Sequence, residues 1–337
     1  MRAITYTENG GPEVLRLTDS PTPDPGPGEV RVRLALAGVN PTDWKSRQGT
    51  PPVGGTQVPG QDGAGTVDAV GQGVDPGVLG QRVWVWEAAW QRPHGTAAEY
   101  TVVPLRQAVL LGPDASFELG AALGIPFLTA HRCLTLGESV PDRLGPGALT
   151  GRTVLVQGGA GAVGNAAVQL ARWADATVIA TVSSPRKAQL AAAAGADHVV
   201  DYRQQDVVAV VREVAPKGVD VIVEVSAARN AGVDAQVVGM HGAVAMYADD
   251  GGAEVTIPVR AQMGPNARWN FVLVYTQPER SKVLGVEDVN AAVLDGAIRV
   301  GEGAGLPLHV FPLAETAGAH RAVADGAVGK VLVDVTA

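Results

Sequence analysis

The sequence predicts an α/β protein in which a doubly wound parallel sheet is joined to a second, mainly β domain. Three observations predict it. A glycine turn between a β-branched run and a helical run lies near mid-chain, strands and helices alternate after it, and the residues before it alternate like strands without that rhythm. With 337 residues, 46% hydrophobic and 18% charged, the chain has the length and apolar content for two buried cores.

Residues 1–124 read as short strands separated by turns. Residues 30–37 (Val-Arg-Val-Arg-Leu-Ala-Leu-Ala) alternate, and residues 81–86 do so again, each beside a Gly or Pro cluster such as 21–28. A partly closed β-domain is the expectation. Residues 117–133 are helical on both sides of Pro126, and that break is the expected hinge between domains. Residues 154–172 then read as strand, tight turn and helix, with G-x-G-x-x-G at Gly159, Gly161 and Gly164. The first glycine permits the turn, the second lets backbone approach a pyrophosphate, the third lets helix pack on strand, and the helix N-terminus supplies N–H donors. This is the Rossmann dinucleotide-binding pattern.

Further strands are expected at 177–182, 198–200, 219–225, 242–247 and 271–275, with helices at 165–173, 185–194, 206–215 and 230–238. The strand 271–275 is placed at a sheet edge, where an exposed apolar edge invites pairing with a second copy. A homodimer through Phe271 to Tyr275 is therefore expected. Beyond residue 278 a helix around 288–294 and strand-like pieces ending in 329–336 are expected to rejoin the first domain. The predicted domains are 1–124 with 278–337, and 125–277.

A net charge of −8 gives an overall field that repels nucleic acid and anionic membrane, so no DNA or membrane partner is expected and RNA is disfavoured. The single cysteine, Cys133, excludes an internal disulfide and reads as a small buried hydrophobe. The first ten residues lack an apolar signal-peptide core, and no run of eighteen apolar residues is uninterrupted. A soluble, cytoplasmic protein is the expectation.

An NAD-preferring turn places Asp or Glu about twenty residues past the glycines to bind the ribose 2′-OH. Here no carboxylate lies between Asp175 and Asp197, while Ser183, Ser184, Arg186 and Lys187 offer donors and positive charge. That favours NADP(H) over an ordinary solvated helix start. For a metal, the chain offers no C-x-x-C and no histidine pair at helical spacing. Without a Lewis acid the substrate must be activated already, as a quinone or conjugated enone is.

Several segments carry a resemblance: 38–43 (Gly-Val-Asn-Pro-Thr-Asp), 59–65 (Pro-Gly-Gln-Asp-Gly-Ala-Gly), 95–100, 124–130, the glycine turn through Gln169 and Arg172, and 195–202. Over essentially its full length the chain resembles the zinc-free quinone oxidoreductase branch of the medium-chain dehydrogenase/reductase superfamily, close to zeta-crystallin. In zinc-dependent relatives a Cys stands where Asn40 is, a His where Gln61 is, and a Cys near Ile125. The resemblance implies a GroES-like catalytic domain and NADPH in a cleft between domains. Ala160, Gly161, Ala162 and Val163 would lie under the pyrophosphate, with Ser183, Lys187 and Tyr202 around the 2′-phosphate. It also implies contacts at Asn40, Asn230, Tyr247, Ala248, Phe271, Val272 and Gly329-Lys330. Two departures stand out: Lys45 replaces a tyrosine common in relatives, and Ala162 replaces a usual glycine.

Hydride transfer to a quinone or enone builds charge on a carbonyl oxygen. Asn40 is the candidate to stabilise it, against a plain turn role before Pro41. Lys45 either supplies charge or a proton or is simply solvated, and Thr129 either bonds the nicotinamide ribose or caps its helix. Trp84 and Trp86 share one strand face and read as core before they read as a quinone wall. The leading function is NADPH-dependent quinone reduction. An enone or enoyl-thioester reductase would share every cofactor residue, and a non-catalytic NADPH or single-stranded RNA binder is the alternative of another class.

Overall fold

The structure, a computed structural model, describes all residues 1–337. They divide into two compact units, Met1–Ile125 with Pro307–Ala337, and Pro126–Leu306. The first contains β1 (Arg2–Thr5), β2 (Arg16–Asp19), β3 (Glu29–Val39), α1 (Pro41–Gly49), β4 (Asp62–Val70), β5 (Arg82–Val85), β6 (Tyr100–Pro104), β7 (Ala108–Leu110) and the start of α2 (Phe117–Leu134). The second contains β8 (Thr153–Val156), α3 (Ala162–Trp173), β9 (Thr177–Val182), α4 (Pro185–Ala194), β10 (His198–Asp201), α5 (Val207–Val214) and β11 (Val219–Glu224). It continues through α6 (Ala227–Val237), β12 (Val238–Met246), α7 (Val259–Met263), β13 (Arg268–Phe271) and α8 (Glu279–Leu294). The first unit closes with β14 (Leu308–Pro312), α9 (Thr316–Ala324) and β15 (Lys330–Asp334).

The β-rich unit is organised on β3. Its length lets it pair with β4 along most of its run, with β6 over Glu29 to Arg33, and with β15 over Leu36 to Val39. Sharing one strand among three partners curls the seven-stranded sheet, as the partly closed β-domain requires. The inward face of β3 carries Val30, Val32 and Leu34 into a core with Val67, Val83 and Val85. Trp84 and Trp86 are buried, in agreement with the core reading.

The second unit holds a six-stranded parallel sheet in the order β10-β9-β8-β11-β12-β13. Its central strands are apolar on both faces because helices cover both sides. Local caps set the helix bounds. On α4, Ser184 accepts the Lys187 N–H through its side chain, Pro185 opens the first turn, and Gly195 ends it at φ 109°.

Three expectations need correction. The last strand is Arg268–Phe271, and Val274–Thr276 is a 3-10 turn. Pairing with β12 fixes that register, Ala243 opposite Arg268 through Met246 opposite Phe271, whereas the apolar run alone suggested 271–275. Helix α2 runs through Pro126 unbroken. The N–H of Ile125 beside the proline donates to Asp62 Oδ1 at 2.9 Å, so the loosened turn is still bonded. The chain returns to the first unit at Pro307, not at 278. Residues 279–306 are pinned in the second unit: Asp288 on α8 meets His131 (2.9 Å) and the Leu144 N–H (2.7 Å), and Gln169 bonds Arg299 N–H (2.8 Å).

Cys133 is fully buried, and burial pushes its thiol pKa up. Iodoacetamide at pH 8 is therefore expected to leave native protein unlabelled and to label it in denaturant. Rapid labelling of the native state would contradict this burial. No helix is long and apolar enough to cross a membrane.

Candidate active site

Apart from Thr129, which lies on α2, the residues expected around a dinucleotide in the second unit lie at or past the carboxyl ends of the parallel strands. Gly159 to Gly164 follow β8, Ser183 to Lys187 follow β9, Tyr202 follows β10, Asn230 lies on α6 after β11, and Tyr247, Ala248, Phe271 and Val272 stand at the ends of β12 and β13. Because β8 sits between β9 and β11, the connections leave it in opposite directions, opening a crevice at that point.

The turn is built differently from the expected division of labour among glycines. The left-handed residue is Gly158, φ 75°, which precedes the motif. Gly159 is needed for packing, since a Cβ there would stand 2.7 Å from Ala180 Cβ. A Cβ on Gly164 would stand 2.2 Å from Gly158 O. Gly161 caps α3, is exposed, and a Cβ placed on it would meet nothing closer than Gly158 O at 3.5 Å, so open space lies before the helix N-terminus. Ala162 is the first helical residue with ordinary φ, which explains why alanine is accepted there.

Ser183 and Lys187 are half-buried, Ser184 is committed to its cap, and the exposed Tyr202 is held beside β9 by its N–H to Val182 O at 3.1 Å. Arg186 is ion-paired with Glu302. The residues between Asp175 and Asp197 include no carboxylate, but folding brings one in from the turn after α8. Both side chains of that pair are more than half exposed, so it is a weak competitor for an incoming phosphate.

Beneath the turn runs a buried polar chain that sequence reasoning missed. Gly158 N–H donates to Thr181 Oγ1 (3.2 Å), Thr181 donates to Gln157 Oε1 (2.6 Å), and Gln157 Nε2 donates to Asp234 Oδ1 (2.9 Å). Asp234 Oδ2 is buried without a hydrogen-bond partner, beside the Glu224 carboxyl. Both carboxyls are fully buried, and burial pushes both upward in pKa, with the neighbouring Glu224 charge raising Asp234 further. Asn230 Nδ2 donates to both Glu224 oxygens, at 3.1 and 3.2 Å, which fixes that amide. Tyr247 is half-buried, and burial is the largest cause raising its phenol.

In the first unit a second polar cluster surrounds Asp62. Asn40 Nδ2 donates to Asp62 Oδ2 (2.7 Å), Lys330 Nζ donates to Asn40 Oδ1 (2.7 Å) and reaches Asp62 Oδ2 (3.4 Å), and Ile125 N–H takes Oδ1. Asn40, Asp62 and Lys330 are 2%, 0% and 1% exposed. Burial raises the Asp62 pKa and lowers that of Lys330, with their pairing opposing both shifts. Three donors around one carboxyl favour its ionised form. Asp43 accepts the Asn40 N–H (2.7 Å), and burial pushes it up to about 7. Lys330, expected at a cofactor, thus turns its ammonium inward, and Asp62 and Asp43 belong to the site although neither was singled out. Both lie inside segments that carried the resemblance, which was the available signal. Lys45 is half-buried with its ammonium 5.8 Å from the Trp44 ring centroid, and Thr129 is buried on α2.

Residues 26–114 match the family described as Alcohol dehydrogenase GroES-like domain, and residues 162–286 match Zinc-binding dehydrogenase. A quinone oxidoreductase from Lama guanicoe is 30% identical over 99% of this chain and 97% of the relative. Among solved structures, an NAD-dependent alcohol dehydrogenase aligns with TM-score 0.84 at 30% identity, covering 99% of this chain and 100% of that one. A mycobacterial protein complexed with NADPH aligns with TM-score 0.82 at 30% identity, covering 99% of each. The zinc in one family description does not fit this donor set. Asn40 is spent on Lys330 and Asp62, Gln61 and Ile125 offer no thiolate or imidazole, and no group of three His, Cys, Asp or Glu side chains is disposed around a metal position. On the full-length relationship, the chain is an oxidoreductase that belongs to the quinone oxidoreductase family of the medium-chain dehydrogenase/reductase superfamily.

Proposed function

We propose that the chain reduces quinones with NADPH and without zinc. The observation that carries the reading is the group past β9 and β10, where Ser183, Lys187 and Tyr202 offer hydroxyls and an ammonium suited to a 2′-phosphate. Asp201, at the end of β10, accepts the Arg203 N–H at 3.0 Å. The llama quinone oxidoreductase and the NADPH-bound mycobacterial relative support it. When bound, NADPH supplies the hydride that an activated carbonyl compound accepts. The α3 N-terminus and the open Gly161 receive the pyrophosphate, while Asn230, Tyr247, Ala248, Phe271 and Val272 line the rest of the dinucleotide. Thr129 bonds the ribose. Asn40 donates to the oxygen on which charge builds, with Lys45 as a nearby source of positive charge.

The test is NADPH oxidation with 1,4-benzoquinone, 9,10-phenanthrenequinone, a simple enone and crotonyl-CoA, each repeated with NADH. Quinone turnover favouring NADPH is expected. Lys187→Ala should lower kcat/KM for NADPH by about tenfold or more, the worth of one charge-assisted bond, and leave NADH unchanged. Turnover confined to the enone or thioester would replace the substrate. Equal use of both coenzymes would overturn the 2′-phosphate assignment.

Assembly through the sheet edge belongs to the same reading. Phe271 and Leu273, at the end of edge strand β13, are 75% and 51% exposed. Light scattering is expected to give a dimer for the native chain and a monomer for Phe271→Asp. An unchanged mass for the variant would remove this edge from the interface.

A further inference from the structure

We propose that Lys330 and Asp62 are positioning residues that lock the Asn40 carboxamide in one orientation and leave its second Nδ2–H as the donor used in the reaction. The inference rests on the proposed role of Asn40. Its geometric basis is independent of that role.

An ammonium only donates, so the Asn40 atom 2.7 Å from Lys330 Nζ is the amide oxygen. A carboxylate only accepts, so the atom 2.7 Å from Asp62 Oδ2 is the amide nitrogen. Rotating the amide by half a turn would set N–H against ammonium and oxygen against carboxylate, losing both charge-assisted bonds. The two neighbours therefore dictate the same orientation. They use the oxygen and one of two N–H groups, and one N–H is left over. The backbone of Asn40 is held as well, by its N–H to Asp43 Oδ2.

The surroundings leave the charges nowhere else to go. A Cβ on Gly124 would stand 2.1 Å from Asp62 Oδ1, and one on Gly38 would stand 3.0 Å from Lys330 Cε and 2.1 Å from Ala121 O. Backbone is thus pressed against both ends of the pair. For stability alone, apolar side chains of similar volume would serve a buried site at least as well as an ion pair. What the ion pair adds is direction, since it fixes where the amide of Asn40 points. A donor fixed before charge develops is worth about 10²–10³ in kcat.

The test is a double-mutant cycle between Asn40→Ala and Lys330→Met, read as kcat and KM separately. Asn40→Ala is expected to lower kcat by about 100-fold, Lys330→Met by nearly as much, and the double variant no further, with quinone KM and NADPH affinity within about threefold of native. Additive losses, or a native kcat in Lys330→Met, would overturn the proposal. Asp62→Asn keeps an acceptor for Asn40 and should lose less, about tenfold, which covers the case that Lys330→Met does not fold. A readout free of variants at Lys330 is the side-chain amide spectrum of protein labelled with 15N-asparagine, assigned by the signal missing in Asn40→Ala. One Nδ2 proton much better protected from solvent exchange than the other is expected, from its bond to Asp62, and equally fast exchange of both would refute the lock. Should the native protein reduce no quinone, the function reading falls, while unequal exchange protection of the two Asn40 amide protons still upholds the orientation.

Discussion

Gly164→Ala is expected to abolish useful dinucleotide binding and to destabilise the second unit. The new Cβ would lie 2.2 Å from Gly158 O and 3.0 Å from both Gly158 C and Gly159 Cα, all of them backbone. No flexible side chain can yield, so the turn itself must move. Overpacking of this kind costs about 1–3 kcal/mol, here at the upper end, and alanine returns less than about 1 kcal/mol in helix propensity. The net loss is about 2 kcal/mol, read in urea unfolding. Because the displaced residues are the ones facing the proposed pyrophosphate, NADPH affinity should fall by about two orders of magnitude, more than the stability loss alone would suggest. Gly161→Ala is the control. Its Cβ meets nothing closer than 3.5 Å at a φ of −79°, so stability should stay within about 0.5 kcal/mol of native. Affinity should still drop, since the methyl enters the space kept for phosphate. Native affinity in both variants would mean that the turn does not hold a dinucleotide.

What the sequence made legible was whatever local chemistry decides. Helix α4 was read to the residue because Ser184, Pro185 and Gly195 each act on the backbone beside them. The strands of the parallel sheet announce themselves as apolar β-branched runs between turns. Where partners distant in sequence decide, the reading slipped. The register of β13 depends on β12, and the return of the chain at Pro307 depends on bonds that α8 and its following turn make to α2 and α3. At the site the same rule holds. Asn40 could be singled out from its own segment, yet its partner Lys330 lies 290 residues away, and Glu302 reaches Arg186 from outside the stretch scanned for carboxylates. The left-handed residue of the turn, Gly158, sat one place outside the motif because Gly-Gly leaves the choice to packing.

His320→Gln is expected to change the acid stability of the chain by about 2 kcal/mol between pH 6.5 and 5, relative to the native protein. His320 lies on α9, is 1% exposed, and its Nδ1 finds no partner. Burial is the larger cause, and the guanidinium of Arg47 the smaller, holding its pKa down to about 3. The unfolded chain titrates this histidine near 6.5, so between about 6.5 and 3 the unfolded state carries a proton that the folded state refuses. Stability from this residue is complete above pH 6.5 and is lost as pH falls, at about 1.4 kcal/mol per unit. Glutamine, neutral throughout, removes that slope. Asp43 works in the opposite sense. Its folded pKa of about 7 lies above the usual carboxylate value near 4, so its contribution is complete below pH 4 and is lost as pH rises toward 7. The Asp43 slope opposes the His320 slope, and the buried Asp62, Glu224 and Asp234, whose pKa values burial also raises, act in the same sense as Asp43. His320→Gln should therefore gain stability relative to the native protein as the pH is lowered from 6.5 to 5. Urea midpoints measured at half-unit pH steps decide it, and parallel pH profiles for the two proteins would show that His320 is not held neutral by its surroundings.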